Sequence, residues 1–285
     1  MSANATPVRI GEVGVWAGQW ALTAERAADI ERLGYQTIWI GGSPSADLAI
    51  VDTLLGATET IAVATGIVNI WTAEAGAVAD SFHRIEQAWP GRFLLGIGAG
   101  HPEANAGYTK PYQALVDYLD VLDEHAVPAN RRVLAALGPR VLRLAADRAA
   151  GAHPYLVTPE FTESARETLG EAPLLAVEHK VALGLFGDDT LATARAAVHN
   201  PYLQLANYRA NLRRLGYAEA DLDNGGSDEL IDALAARGIA SAVAPKLRAH
   251  LDAGADHVAV HVLPDADDPL VTLAELAPTL GLSEK

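Results

Sequence analysis

Residues 92–104 read RFLLGIGAGHPEA, an apolar run with glycines at 96, 98 and 100 and then a histidine. Glycine weakens a strand, so its use there means that another backbone or a ligand must come close. His101 can donate a hydrogen bond or exchange a proton near neutral pH. A second stretch, GIVNIW at 66–71, ends another apolar run and presents Asn69 and Trp71, which can contact a flat ring. Both stretches also admit plainer readings: glycines that accommodate neighbouring strands, and a histidine in a solvated loop.

Other constellations lead away from several chemistries. GIGAGH lacks the third glycine of the G-x-G-x-x-G dinucleotide fingerprint, and Pro102 follows it. His153, His179, His257 and His261 invite a metal. His257 and His261 share a strand face, but residues four apart on a strand are separated by roughly 13 Å, and no HExxH occurs, so no catalytic metal is expected. DLDNGGSDELID at 221–232 half-mimics a calcium loop but lacks the closing glutamate; a turn with Ser227 capping a helix explains it. Neither a GxSxG elbow nor a GxxxxGK[ST] loop is present.

The elements that must position these residues alternate along the chain. Strand-like segments are expected at 8–16, 36–41, 61–70, 92–100, 132–138, 152–157, 173–184 and 257–264, with helical spacing between them. Thr23 caps the first helix and Gly34 stops it; Pro139 opens another, and Thr158 with Pro159 a third. Strand–helix alternation with eight strands is the pattern of an α/β fold, a (β/α)8 TIM barrel, with an open doubly wound sheet as the alternative. The long helical region at about 188–254 is expected to be an insertion between strands seven and eight. With no linker-like composition break, residues 1–285 are expected to form one domain. In a barrel, Gly98, Gly100 and His101 stand at the C-terminal end of strand four, where active sites of such barrels lie.

The 285 residues carry a net charge of −15 and no cysteine. That balance argues against a duplex nucleic-acid partner, and the missing thiols exclude disulfides and a cysteine nucleophile. No apolar run reaches the roughly 18 residues of a membrane span, and the first residues do not read as a secretory signal. A cytoplasmic protein with a small-molecule substrate is expected, without nucleic-acid or membrane partners.

Three motifs in order, ATGIVNIW, PGRFLLGIGAGHPEA and LAALGPRVLRLAADRAAGAHPYLVTPEF, resemble the bacterial luciferase-like superfamily. Further along, NYRANLRRLGY, GGSDELIDALAARG and HLDAGADHVAVHVLP continue the likeness, most of all to its branch of coenzyme F420-dependent oxidoreductases. The resemblance implies a barrel with an insertion near strand seven and a flavin-like ring at the C-terminal mouth. It implies a non-prolyl cis peptide ending strand three, matched here by Gly66 and Ile67, with Val68 and Asn69 just beyond. It assigns cofactor contacts to Gly98, Ala99, Gly100 and His101, and to the turn Leu137, Gly138 and Pro139. His101 is then the catalytic residue, donating or accepting the proton that accompanies the hydride.

The implied function is hydride transfer between F420 and a small organic substrate. One alternative is an FMN-dependent monooxygenase supplied with reduced flavin by a partner reductase; another is a non-catalytic flavin-binding relative. A homodimer is implied by analogy. Gly41 and Gly42 stand where some relatives carry an acid or a histidine, and His101 stands where some carry a glutamate, so a sugar-phosphate substrate is not transferred.

Overall fold

The computed structural model describes residues 6–104, 108–184, 188–264 and 268–284. Its parallel strands close on themselves. In chain order β1 (Val13–Gly18), β2 (Thr37–Gly41), β3 (Ala62–Thr65), β4 (Val68–Asn69), β5 (Phe93–Gly98), β6 (Arg132–Leu134), β7 (Gly151–Ala152) and β8 (Leu174–Leu183) follow one another around the sheet. β10 (His257–Val262) pairs with both β8 and β1 and seals it. With β3 and β4 counted as one broken strand, this is a closed eight-stranded (β/α)8 barrel. Helices α1 (Ala24–Arg32), α2 (Ala49–Gly56), α3 (Ala75–Ala88), α4 (Pro111–Glu124), α5 (Pro139–Arg148) and α6 (Pro159–Leu169) alternate with the strands, and α12 (Leu270–Thr279) ends the chain. No helix among the described residues is long and apolar enough to cross a membrane.

Local chemistry sets the helix starts. Thr23 Oγ1 accepts from the Arg26 N–H at 3.1 Å, and Thr158 Oγ1 from that of Phe161 at 3.4 Å. Between β8 and β10 the chain forms α7 (Asp188–His199), α8 (Ala206–Arg214), α9 (Glu219–Leu222) and α10 (Asp228–Leu234) around their own apolar cluster, including Leu203, Tyr208, Leu212 and Ile231. The turn at 221–232 starts α10, with Ser227 Oγ accepting from the Leu230 N–H at 3.2 Å. A strand then interrupts the stretch whose spacing reads as helical throughout: β9 (Ala235–Gly238) pairs with Lys180–Leu183 of β8. After it, α11 (Ala240–Asp252) packs on β8 and β10 as a barrel helix does.

The sequence reading of the strands differs from the structure chiefly at their ends. The first strand begins at Val13 and runs to Gly18, and the third is split at 66–67. The strand expected at 152–157 is reduced to Gly151–Ala152: the His153 N–H still donates to Leu134 O at 2.9 Å, but Pro154 has no N–H with which to continue the ladder.

Two packing features carry consequences. A Cβ on Gly96 would stand 1.8 Å from the Thr65 carbonyl oxygen, and the Gly96 N–H and C=O both bond the Thr65 hydroxyl at 2.8 Å. A neighbouring strand therefore accounts for this glycine. Gly96→Ala is expected to destabilise the fold by several kcal/mol through overpacking, read as a large fall in melting temperature. The second feature is a set of buried histidines. Burial pushes His153, His179 and His257 down to about 4 and His250 well below its ordinary value. The unfolded chain then binds more protons than the native one below about pH 6.5, so stability present at neutral pH is lost as pH falls through that value. By pH 5.5 His153, His179 and His257 each cost on the order of 1 kcal/mol. Thermal unfolding between pH 8 and 5 should show a melting temperature that drops steeply below pH 6.5; a flat profile would contradict this.

Candidate active site at the barrel mouth

The two sequence stretches meet as neighbouring strands. The Gly66–Ile67 peptide is cis. Just past it Asn69 stands opposite Gly98 in the β4–β5 ladder, and the Ile70 N–H donates to Gly98 O at 3.1 Å. Trp71 Nε1 donates to Ala99 O at 2.7 Å, while Asn69 Oδ1 accepts from the Trp71 N–H at 3.0 Å and fixes the turn. A Cβ on Gly98 would lie 2.9 Å from both Ile67 Cγ1 and Ala135 Cβ, so protein side chains fill the space beside it. Gly100 needs its glycine for another reason, a φ of +59°.

His101 is half-buried and rests against the segment inserted between β8 and β10. Its Nδ1 lies 3.3 Å from Asn207 Nδ2 and its ring 5.5 Å from that of Tyr208. Burial lowers its pKa, and Glu103 and Asn207 offset this only in part. α8 also reaches the loop after β6, where Arg214 donates to Leu137 O at 3.1 Å. The structure thus brings Gly66, Ile67, Val68 and Asn69 together with Gly98, Ala99, Gly100 and His101. Leu137, Gly138 and Pro139 are joined to them through α8.

Sequence reasoning missed a cluster on the far side of the mouth. Glu178 and Lys180 point into the barrel from β8, 0% and 1% exposed. Lys180 Nζ lies 3.1 Å from Glu178 Oε1, 2.9 Å from His261 Nδ1 and 2.6 Å from the Tyr155 hydroxyl. His261 Nδ1 is 2.7 Å from Glu178 Oε1, and Glu178 Oε2 accepts from the Leu156 N–H at 2.9 Å. Burial alone would raise the Glu178 pKa. The Lys180 charge, the His261 contact and the backbone bond outweigh it and hold the carboxyl well below the usual range. Two charged residues one pleat apart inside the apolar run PLLAVEHKVALG were the available signal, since period two puts them on one face.

The remaining histidines have separate partners. His257 accepts from Trp39 Nε1 at 2.9 Å and is bonded to Gly11 O at 2.7 Å. His153 stacks on Trp39 at 3.9 Å, and His179 lies 3.0 Å from His250. Among the described residues no group of three or more His, Asp or Glu is arranged for a metal ion.

A flat, polar-edged ring suits the residues present. Gly66, Ile67, Ala99, Gly100, His101, Leu137 and Gly138 are all only half-buried. Among the described residues, Trp16 Nε1 and His153 Nε2, both close to Gly66, are buried without hydrogen-bond partners, as is Asn207 Oδ1 beside His101. At Gly138, which precedes Pro139 at the start of α5, an added Cβ would meet nothing within 4 Å, and no side chain caps the helix N–H groups. Backbone N–H groups at a helix start favour an anionic group.

The luciferase-like monooxygenase family model matches residues 5–257. Among solved structures the chain is similar to an F420-dependent secondary alcohol dehydrogenase in complex with an F420–acetone adduct, at 15% identity and a TM-score of 0.70, covering 95% of this chain and 99% of that one. It is similar to the coenzyme F420-dependent tetrahydromethanopterin reductase of Methanopyrus kandleri, at 15% identity and 0.67, covering 95% and 100%. It is also similar to the oxygenating constituent of the Pseudomonas putida 3,6-diketocamphane monooxygenase in complex with FMN, at 18% identity and 0.66, covering 96% and 100%. No curated protein matches the chain by sequence. With the family model spanning most of its length, the chain belongs to the luciferase-like monooxygenase family.

Proposed function

We propose that the protein is an F420-dependent oxidoreductase that transfers a hydride between the deazaflavin and a small organic substrate at the barrel mouth. The observation that carries this reading is the half-buried wall of Gly66, Ile67, Ala99 and Gly100 that ends in His101, a histidine whose pKa burial lowers. The choice of F420 over FMN rests on the likeness of the C-terminal motifs to the F420 branch. A bound deazaflavin supplies hydride transfer, whereas reduced FMN also reacts with oxygen.

The chain's own residues supply position and protons. Gly66, Ile67, Val68 and Asn69, with Gly98, Ala99, Gly100 and His101, would hold the ring. Leu137, Gly138 and Pro139 at the start of α5 would take its anionic tail. A neutral imidazole keeps one N–H and one lone pair, so at neutral pH His101 both donates and accepts. The segment between β8 and β10 packs Asn207 and Tyr208 against His101, at the end of this wall. The protein is taken to work as a single-domain homodimer in the cytoplasm, with a separate reductase replenishing the reduced cofactor.

A side-by-side fluorescence titration with F420 and FMN tests the reading. Tight F420 and weak FMN binding are expected. Preference for FMN would make the protein a monooxygenase, and binding of neither would make it a non-catalytic relative. His101→Ala should lose about 10²-fold in turnover, far more than it loses in F420 affinity; full turnover would remove the proton role.

A further inference from the structure

We propose that Trp20 is a stacking platform on the rim of the barrel mouth, which makes the substrate an uncharged molecule with a flat apolar ring. This rests on the hydride-transfer reading of the same mouth.

Trp20 lies in the turn Gln19–Ala21 that leaves the C-terminal end of β1, and it is 64% exposed. The other four tryptophans are buried or half-buried. A lone apolar side chain on a surface needs no explanation; what sets Trp20 apart is its seat. A Cβ on Gly18 would stand 2.3 Å from its Cε2 and Cζ2, and one on Gly42 2.5 Å from its Cζ3. The six-membered ring therefore rests on two bare α-carbons at the ends of neighbouring strands, where Gly18 stands opposite Gly41 in the β1–β2 ladder.

The turn that carries the indole is tied on both sides. Gln19 Nε2 donates to Gly42 O at 2.8 Å. Arg26 donates to Ala21 O and pairs with Asp268 at 3.3 Å. The indole is thus held in place while most of its surface stays open. An aromatic ring fixed in advance gives up little freedom when something stacks on it.

Its neighbours indicate what covers it. Ile40 O, two residues before Gly42, accepts from the Gly66 N–H at 2.8 Å. The seat of Trp20 is therefore next on the rim to the Gly66–Ile67 peptide, and from there the wall runs through Asn69 and Gly98 to His101. A substrate held against that wall reaches Trp20 by extending towards β1. On the other side of the turn a crevice is lined by Trp16, Ala17, Ala21, Val262 and Pro269, with His261 as its polar member among the described residues. The charged groups tied to this part of the rim are paired with each other, Arg26 with Asp268, and Glu178, which contacts His261, with Lys180. Such surroundings offer little to a charged substrate. An indole attracts a flat ring through dispersion, its quadrupole and the area removed from water. A second copy of the chain seated on Trp20 would stand over the mouth that the substrate must enter, so the position favours the substrate as occupant.

Labelling with 5-fluorotryptophan gives one fluorine NMR line for each of the five tryptophans, and Trp20→Phe identifies the Trp20 line. Naphthalen-2-ol, flat and uncharged, should shift that line saturably in cofactor-free protein and again with F420 present. Trp20→Ala should keep a melting temperature close to wild type, since the side chain is mostly exposed, and weaken naphthalen-2-ol binding about 10-fold. Heptan-2-ol, uncharged but without a ring, should bind the alanine variant nearly as well as the wild type. Trp20→Phe should recover most of the naphthalen-2-ol affinity. A Trp20 line that naphthalen-2-ol moves in neither form of the protein, or equal losses for both alcohols, would overturn the proposal. So would a Trp20 line that moves with protein concentration together with a Trp20→Ala variant of smaller assembly size, which would assign the indole to a contact between copies. Protein that binds no F420 would defeat the hydride-transfer reading instead, and the naphthalen-2-ol result would still decide for Trp20.

Discussion

Two indoles inside a closed barrel set the terms for everything around them. Trp39 is fully buried, stacked on His153 and bonded to His257. Trp16 lies against His261 at 4.2 Å and Tyr155 at 5.2 Å. An eight-stranded barrel has an interior only wide enough for side chains to fill, so residues facing these rings must be small. Ala62 and Ala64 on β3 are, and so is Gly41, where a Cβ would stand 2.1 Å from the Trp16 ring. This accounts for the departure at Gly41 and Gly42. Trp16 covers the first, and Trp20 lies over the second, whose φ is +81°. The pair makes room for two indoles, and its glycines do not by themselves mark a decayed site.

The same crowding explains why the polar residues of the mouth are so tightly coupled. With Trp16 beneath, Tyr202 and Tyr208 above and apolar strands around, Glu178, Lys180 and His261 have one another as partners instead of water. Electrostatic interactions strengthen where water is excluded. The inserted segment contributes to this twice. Tyr202 and Tyr208 roof the cluster, and Asn207 meets His101 across the mouth.

The alternation of strands and helices was legible because apolar spacing switches between periods of two and 3.6, and caps such as Thr23, Thr158 and Ser227 act through local bonds. The place of His101 at the barrel mouth was legible as well, since it follows a strand. Strand ends were less so. β9 is built from Ala235, Ala236, Arg237 and Gly238, whose composition favours helix, and its extended form comes from pairing with β8. The mouth cluster was hidden for a related reason. Its members come from β7's exit, β8, β10 and the inserted segment, and only closure of the barrel joins them. Gly96 and Gly98 read as the close approach of either another strand or a ligand, and protein neighbours do close in on both, Thr65 on the first and Ile67 with Ala135 on the second.

These origins divide the labour between scaffold and insertion. The strands fix the Gly66–Ile67 peptide, the β5 wall and the Glu178–Lys180–His261 set, all held by ladder pairing and a filled interior. Tyr202, Asn207 and Tyr208 stand on short helical pieces whose own apolar cluster is separate from the barrel's. A change of substrate is therefore most easily made in the insertion, where side chains can vary without disturbing the barrel interior. A change in the Glu178–Lys180–His261 cluster would have to be made inside the barrel, where Trp16 and Trp39 already fill the space.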